Sequence, residues 1–350
     1  MIRLNWLQAK IATDGNSTVG ATGVASGAGS RVRSAADPVP LHATEVTLQS
    51  LVKLRQSLPL VKRPAGRQVR ASASGGNMSR ALGRGLDFAE VREYNHGDDV
   101  RTIDWKVTAR SGKPHTKVFN EERDRPFLVM LDLRSSMFFG TRTAFKSVIA
   151  ARLSAMVAWA AAGNRDRVGG VVFNDDGIRE SQPGEGSKGV TRLLSAIATS
   201  HAEFSDSPVS PAHRNKRLSL VDIFQRLKRS AHTGSSICLI SDFPDFDEHE
   251  SGHLNHLLRH NHVAACRVFD PLEAELPPPS TYAISDGQTR ASLDTGADQT
   301  REAYRDYFNQ RREQTRRVFR GHGNSYSECR VDDSLTDTAA ALMRQLPGSL

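Results

Sequence analysis

The amino-acid sequence predicts an α/β protein in which helices cover both faces of a parallel β-sheet, preceded by a β-rich N-terminal extension. Two observations lead to this prediction. Short apolar runs of strand length recur along residues 127–270, and segments with helical periodicity separate them. Strands of a parallel sheet are buried on both sides and are therefore apolar throughout, and the connecting helices cover the two faces.

The chain begins with a segment that has no means of building a core. Residues 1–43 are rich in Gly, Ala, Ser and Thr, and we expect a disordered tail because so few large apolar side chains are present. Residues 44–126 then divide into a short helix with Thr44 as its candidate N-cap, a basic linker at 62–84 and a β-rich segment.

The β-rich segment predicts a hairpin-like unit. Apolar and aromatic residues alternate with polar ones up to Tyr94, a turn follows at 97–99, and the alternation resumes through Ile103, Trp105 and Val107. We therefore expect the second strand of the hairpin directly after the turn.

The predicted core spans residues 127–270. Its strands are expected at 127–133, 168–173, 236–240 and 263–269, and its helices at 144–162, 190–198, 218–228 and 248–259. Residues 271–350 form a predicted C-terminal extension, with a short β segment at 282–284 and a basic amphipathic helix at 301–320.

Composition narrows the class of protein. The net charge is +8, but the arginines of the C-terminal helix are interleaved with acidic residues and no recognition module accompanies them, so nucleic-acid binding is not expected. Three scattered cysteines fit a reducing compartment. The sequence has neither a secretory signal nor an apolar run of the ~20 residues that a membrane span needs, so we expect a cytoplasmic protein, with peripheral membrane association left open.

Two acidic residues follow predicted strands. Asp132 ends the first strand and Asp242 follows the third, and the carboxyl ends of parallel strands are where ligands bind in open α/β sheets. Hydroxyls follow Asp132 at once, which is the oxygen-rich ligand set that Mg²⁺ prefers. Capping of strand-to-helix turns is the equally weighted alternative for both aspartates.

The sequence Asp132-Leu133-Arg134-Ser135-Ser136 resembles the Asp-x-Ser-x-Ser motif of von Willebrand factor A domains. The resemblance implies a metal-ion-dependent adhesion loop, with Asp132, Ser136 and Asp242 as candidate Mg²⁺ ligands. Arg134 stands in place of the first serine and has no lone pair to offer a metal, so the loop is predicted to be degenerate. Arg134 and Ser135 then become candidate contacts to an acidic partner, and Arg134→Ser is expected to create Mg²⁺ binding if the rest of the site is intact.

A narrower resemblance begins upstream of the sheet. The segments Arg84-Gly85-Leu86-Asp87-Phe88, Arg92-Glu93-Tyr94, Ile103-Asp104-Trp105, Ser241-Asp242-Phe243 and Asp270-Pro271-Leu272-Glu273 are similar to the signature of the bacterial family called domain of unknown function 58 (DUF58). Members of that family are often encoded beside MoxR-type AAA+ ATPases. The resemblance therefore implies a non-enzymatic adaptor or chaperone-like protein with such an ATPase as its partner.

The upstream part of this signature is dense in opposite charges. We expect these charges to form a structural salt-bridge network that fastens the hairpin to the core, with a partner-binding face as the alternative. The residues concerned are Arg92, Asp98, Asp99, Arg101, Asp104 and Trp105.

An enzymatic alternative comes from a different motif. His249-Glu250-Ser251-Gly252-His253 has the spacing of the HExxH zinc-hydrolase motif, with Glu273 as a possible third ligand. Gly252 weakens the helix on which the motif depends, by ~1 kcal/mol relative to alanine, so an exposed histidine-rich helix face is favoured over a zinc site.

Overall fold

The computed structural model describes residues 43–56, 86–95, 98–121, 126–206, 220–244, 248–285, 290–320 and 324–346. Nearly all of the predicted tail, the basic linker at 62–84 and the tip of the turn at 97 lie outside these residues. The chain divides into two compact units. One unit comprises residues 67–124, and the other comprises residues 1–66 together with 125–350.

The helices and strands follow one another along the chain. In order they are α1 (Leu48–Lys53), β1 (Leu86–Glu93), α2 (Trp105–Ser111), β2 (His115–Glu121), β3 (Phe127–Asp132), α3 (Lys146–Gly163), β4 (Val168–Phe173), β5 (Ile178–Gly184), α4 (Gly186–Asp206), α5 (Leu220–Ser230), β6 (Ser236–Ser241), α6 (Glu248–His260), β7 (His262–Phe269), α7 (Pro271–Ala274), β8 (Thr281–Ser285), β9 (Arg290–Asp294), α8 (Asp298–Arg320), β10 (Ser325–Arg330) and α9 (Leu335–Gln345).

The larger unit is built on a six-stranded sheet with the order β10-β7-β6-β3-β4-β5. All neighbouring strands are parallel except β5, which runs antiparallel to β4. The predicted core ended at residue 270, but the sheet continues beyond it because β10 pairs with β7.

Helices cover both faces of this sheet, which confirms the predicted fold class. Phe127, Val129 and Leu131 of β3 pack in one buried cluster with α1, α3, α4 and α9, while Leu128 and Met130 pack in a second cluster with α5, α6 and α8. The alternation of side chains along a strand assigns successive residues to opposite faces.

Helix α1 belongs to the larger unit. Its Leu51 is fully buried, and the carbonyl of Leu51 accepts a hydrogen bond of 3.3 Å from Nε1 of Trp159. The N-cap of α1 is Thr47 rather than the predicted Thr44, because Oγ1 of Thr47 accepts from the backbone N–H of Ser50. The predicted helix exists, but it begins one turn later.

The smaller unit contains the predicted hairpin with a different second strand. Residues from Trp105 onward form α2, because the carboxylate of Asp104 accepts from the backbone N–H groups of Lys106 and Val107 and caps the helix. The strand that pairs with β1 is β2, which begins ten residues later, at His115. The apolar alternation through Ile103 and Val107 predicted a strand, and this prediction was wrong because the residues from Trp105 onward form a capped helix.

Several elements have no counterpart in the prediction. Strands β5 and β10 lie at the two edges of the sheet and carry mostly polar residues, so they lack the continuous apolar run that identifies a central strand.

Among the helices that the structure describes, none combines the length and hydropathy that a bilayer crossing requires.

Candidate functional site

The two aspartates predicted at strand ends meet at the carboxyl edge of the sheet. Asp132 is the last residue of β3, and Asp242 follows β6, its immediate neighbour in the sheet. The Asp132 carboxylate is fully buried and accepts a hydrogen bond of 2.7 Å from Oγ of Ser241. The backbone turns sharply after Asp242, because Phe243 has a φ of 46°, in the left-handed region that side chains other than glycine rarely adopt.

Arg134 folds back onto Asp132. Its Nη2 lies 2.7 Å from Oδ2, its Nε lies 3.0 Å from Oδ1, and its backbone N–H donates to the same carboxylate. The guanidinium is only 11% exposed and lies 5.4 Å from the centre of the Phe173 ring. A bidentate arginine paired in this way already satisfies the buried carboxylate.

Lys146 performs the corresponding role for Asp242. Its ammonium Nζ lies 2.8 Å from Oδ2 of Asp242 and 2.8 Å from Oε1 of Glu273. Burial of the side chain disfavours the charged form, but the two carboxylates outweigh burial and raise the pKa of Lys146. The other oxygen of Asp242 accepts from Oγ of Ser136 at 3.2 Å.

The network extends to the start of α7. Oε2 of Glu273 accepts from the backbone N–H of Asp270 at 2.9 Å, and Asp270 caps the helix in return. The Asp270 carboxylate also accepts from the backbone N–H and hydroxyl of Thr141. These contacts hold the loop after β3 against the loop after β7, so both loops form one ordered surface.

The loop after β4 also contacts the Asp132 loop. Oδ2 of Asp175 accepts from the backbone N–H of Ser135 at 2.7 Å. Asp175 is only partly buried. The tip of the Asp132 loop is therefore held in a defined conformation by a side chain from the neighbouring strand end.

These residues do not fit a magnesium ion. Each of the two carboxylates is already matched by a cation of the chain itself, Asp132 by Arg134 and Asp242 by Lys146, and all four carboxylate oxygens accept hydrogen bonds. A divalent ion would have to displace two positive groups and would then lie beside them, so charge repulsion opposes its binding. In the part of the chain that the structure describes, no group of three or more His, Cys, Asp or Glu residues has the arrangement of a metal site.

The structure thus brings together Asp132, Arg134, Ser136 and Asp242, with Ser135 at the tip of the same loop. Sequence reasoning missed Lys146, Ser241 and the role of Glu273. Ser241 directly precedes Asp242 in the segment Ser241-Asp242-Phe243, so the sequence did offer a signal for it. Lys146 carries no such signal, because a lysine at the start of a helix is normally exposed.

The charges of the smaller unit form a local network. Nη2 of Arg92 lies 2.8 Å from Oδ1 of Asp98, while Asp104 caps α2 and lies 3.4 Å from Nζ of Lys117. The backbone N–H of Asn95 and the Arg92 guanidinium lower the pKa of Asp98.

Two further members of this predicted set have clear surroundings. The carboxylate of Asp99 accepts from the backbone N–H of Arg101 and caps a short 3₁₀ turn. Trp105 stands apart from the network, with 71% of its surface exposed. These contacts are local pairs and caps within the unit, and the expectation that such charges fasten the hairpin to the core stays a prediction. Trp105 is the exposed large aromatic side chain among the described residues of this unit.

The HExxH segment lies on a helix, as that motif requires, since α6 spans residues 248–260. The side chains of the motif lie outside the described part of the structure. Glu273, the suggested third ligand, is engaged by Lys146 and by the N–H of Asp270, one on each oxygen. This engagement weighs against a zinc site that uses Glu273.

Comparison with known proteins identifies relatives of this chain. Residues 90–316 match the family described as "Protein of unknown function DUF58". An uncharacterised protein of Mycobacterium tuberculosis (strain ATCC 25618 / H37Rv) and one of Mycobacterium bovis are each 27% identical over 288 residues, covering 79% of this chain and 84% of the relative.

Two solved structures match this chain at low similarity. The conserved hypothetical protein BatB from Bacteroides thetaiotaomicron has a TM-score of 0.38 at 14% identity, covering 63% of this chain and 97% of BatB. A von Willebrand factor type A protein from Catenulispora acidiphila has a TM-score of 0.36 at 8% identity, covering 65% of this chain and 43% of that protein. The fold class follows from the strand order and the flanking helices themselves.

Proposed function

Because this chain belongs to the DUF58 family and the carboxyl edge of its sheet is built as an ordered, salt-bridged surface, we propose that it is a non-enzymatic protein-binding adaptor. The observation that carries the proposal is the pairing of Asp132 with Arg134 and of Asp242 with Lys146. The loop has the position of an adhesion loop, but cations of the chain take the place of the metal. We describe it as a degenerate, metal-independent adhesion site.

The contacts around this loop support binding rather than catalysis. Asp132, Asp242 and Glu273 are each engaged by a cation of the chain itself, so these carboxylates are already committed to structural pairs. The loops are also held by cross-contacts such as Ser135 to Asp175 and Thr141 to Asp270. A pre-ordered surface loses little conformational entropy when a partner docks, which favours affinity.

The proposed partner is a MoxR-type AAA+ ATPase. This part of the proposal rests on the resemblance of the chain to a family whose members are encoded beside such ATPases. An adaptor of this kind would present the loop surface to the ATPase or to its client and would assist in a chaperone-like way.

A pair of matched variants tests the site. Ser135→Trp places a bulky group at the tip of the Asp132 loop, whereas Ser187→Trp places the same group on the exposed start of α4, beside the end of β5 and hence at the opposite edge of the sheet. Binding to the MoxR-type ATPase of the same organism is measured by calorimetry. We expect Ser135→Trp to abolish binding, Ser187→Trp to retain it, and excess EDTA to leave it unchanged.

Equal binding by both variants would place the interface elsewhere, and loss of binding in EDTA would show that a metal is needed.

One observation favours the zinc-hydrolase alternative, namely the helical setting of His249 and His253. Metal analysis of the purified chain distinguishes it. Stoichiometric zinc that is lost on His253→Ala would favour the hydrolase over the adaptor.

A further inference from the structure

A cavity opens beside the Asp242 loop, between β7 and α8. Its empty volume, including the part open to solvent, is about 530 Å³. Asp242 and Glu273 form its acidic side, and Arg267 of β7 and Arg311 of α8 form its basic side. The cavity is therefore a polar site next to the network of the adhesion loop.

The acidic side of the cavity has one cation for its two carboxylates. Asp242 and Glu273 share the buried ammonium of Lys146, at 2.8 Å from each. Arg267 and Arg311 line the opposite side, and the backbone carbonyl of Pro244 accepts from Nη2 of Arg311. An anion would therefore bind on the side of the arginines, where the two carboxylates close by would repel a dianion more strongly than a monoanion.

Arg267 is the group that a ligand would satisfy. Its Nε and Nη1 are buried, and within the described part of the chain neither atom has a hydrogen-bond partner. Its guanidinium carbon lies 4.5 Å from the centre of the Phe308 ring, which holds the group in place from one side. Buried donors without partners are costly and uncommon in folded proteins, and a bound anion would remove that cost.

The remaining wall of the cavity is aromatic. Tyr304, Tyr307 and Phe308 project from successive turns of α8, and Phe308 packs against Phe269 with ring centres 5.6 Å apart. Such a wall offers contact to an apolar group adjacent to the anion. The cavity thus combines an arginine anchor with space for an apolar side chain.

We propose that this cavity binds the carboxylate of a peptide segment, with Arg267 as its anchor and the aromatic wall against a neighbouring apolar side chain. A carboxylate is a charged acceptor for a donor of Arg267, and Asp242 and Glu273 repel its single negative charge less than they would repel a dianion. The inference deepens the proposed protein-binding function and rests on it, since the peptide would belong to the bound partner.

Calorimetry on the full chain, without any ATPase, tests the proposal. The probe is the tripeptide acetyl-Gly-Gly-Phe with a free carboxylate, and its control is the same tripeptide with a C-terminal amide. We expect the acid to bind at least about ten-fold more tightly than the amide, because only the acid forms charge-assisted hydrogen bonds to Arg267. Arg267→Gln should remove this preference, whereas Arg317→Gln, on the exposed side of α8, should keep it.

Several outcomes would overturn the proposal. They are equal binding of acid and amide, a preference that survives Arg267→Gln, phenylpropionate binding as tightly as the tripeptide acid, and inorganic phosphate binding more tightly than either. Thermal unfolding verifies that each variant folds. If Arg267→Gln does not fold, Arg267→Lys replaces it, and an unchanged preference there would also contradict the role of the guanidinium donors. Because the probe is a peptide, failure here is distinct from failure to bind the ATPase.

Discussion

The two units of this protein use the same types of charged residue in different surroundings. At the carboxyl edge of the sheet, Lys146 and Asp132 are fully buried and each is matched by partners within hydrogen-bonding distance. In the unit of residues 67–124, the pair of Lys113 and Glu93 is 68% and 62% exposed. Water stabilises the exposed charges by itself, whereas the buried charges depend on each other, so removal of one partner has very different consequences in the two units.

The largest expected effect is from Lys146→Met, which leaves Asp242 and Glu273 without their shared cation in a buried site. We expect the free energy of unfolding to fall by roughly 3–5 kcal/mol. The matched control, Lys113→Met, removes the exposed pair and should cost at most about 1 kcal/mol. Urea denaturation of both variants measures the difference, and equal losses would show that burial does not separate the two networks.

Lys146 also predicts a dependence on alkaline pH. Because its pKa is raised in the folded state, the stabilisation it provides is fully present below the ordinary lysine pKa of 10.5 and is lost as the pH rises through the higher folded value. We therefore expect the free energy of unfolding of the wild-type protein to fall as the pH rises above 10.5. The Lys146→Met variant should not show this fall, because it lacks the ammonium at every pH. Parallel curves for the two proteins would contradict the raised pKa.

The next effect is from Arg134→Ser. This variant takes the bidentate partner from the buried Asp132, while Ser241 still donates to the carboxylate, so we expect a loss of about 3 kcal/mol. Mg²⁺ should not restore the lost stability, because Lys146 remains paired with Asp242. Stabilisation of the variant by Mg²⁺ in thermal unfolding would show instead that Arg134 alone excludes the metal.

A buried histidine gives a prediction at acidic pH. Burial lowers the pKa of His201 from 6.5 to about 4, and its Nε2 lies 3.1 Å from Oγ of Ser147. The unfolded chain therefore binds a proton first as the pH falls from 6.5 towards 4, and up to about 3 kcal/mol of stability is lost over that range. The His201→Gln variant should lose less stability over the same pH range, as measured by urea denaturation. An identical dependence of the free energy of unfolding on pH in the two proteins would rule out this contribution.

The smallest effect on stability is expected at the surface of the other unit. Trp105→Ala removes a side chain that is 71% exposed, so the free energy of unfolding should change by no more than about 0.5 kcal/mol. Exposed tryptophans are frequent binding hot spots, and the same variant should weaken binding to the proposed ATPase partner. Loss of stability without loss of binding would assign Trp105 a structural role.

The central strands and the position of the candidate site were predictable from residues alone. Apolar runs such as 127–133 and 168–173 identify strands that are buried on both faces, and an aspartate at the end of such a run lies at the binding edge of the sheet. Edge strands such as β10 escaped prediction because they carry many polar residues and so lack the continuous apolar run of a central strand. Helix α2 escaped because a cap at Asp104 outweighed an alternation that is typical of a strand.

Local patterns of residues sufficed to predict the α/β class, the family and the loop at Asp132. The partner of Asp242, beside that loop, comes instead from distant parts of the chain. Lys146 and Glu273 are separated by 127 positions along the chain, yet they share one salt bridge. Contacts of this kind arise when separate strands end at the same edge of a sheet, and no local pattern encodes which side chains will meet there.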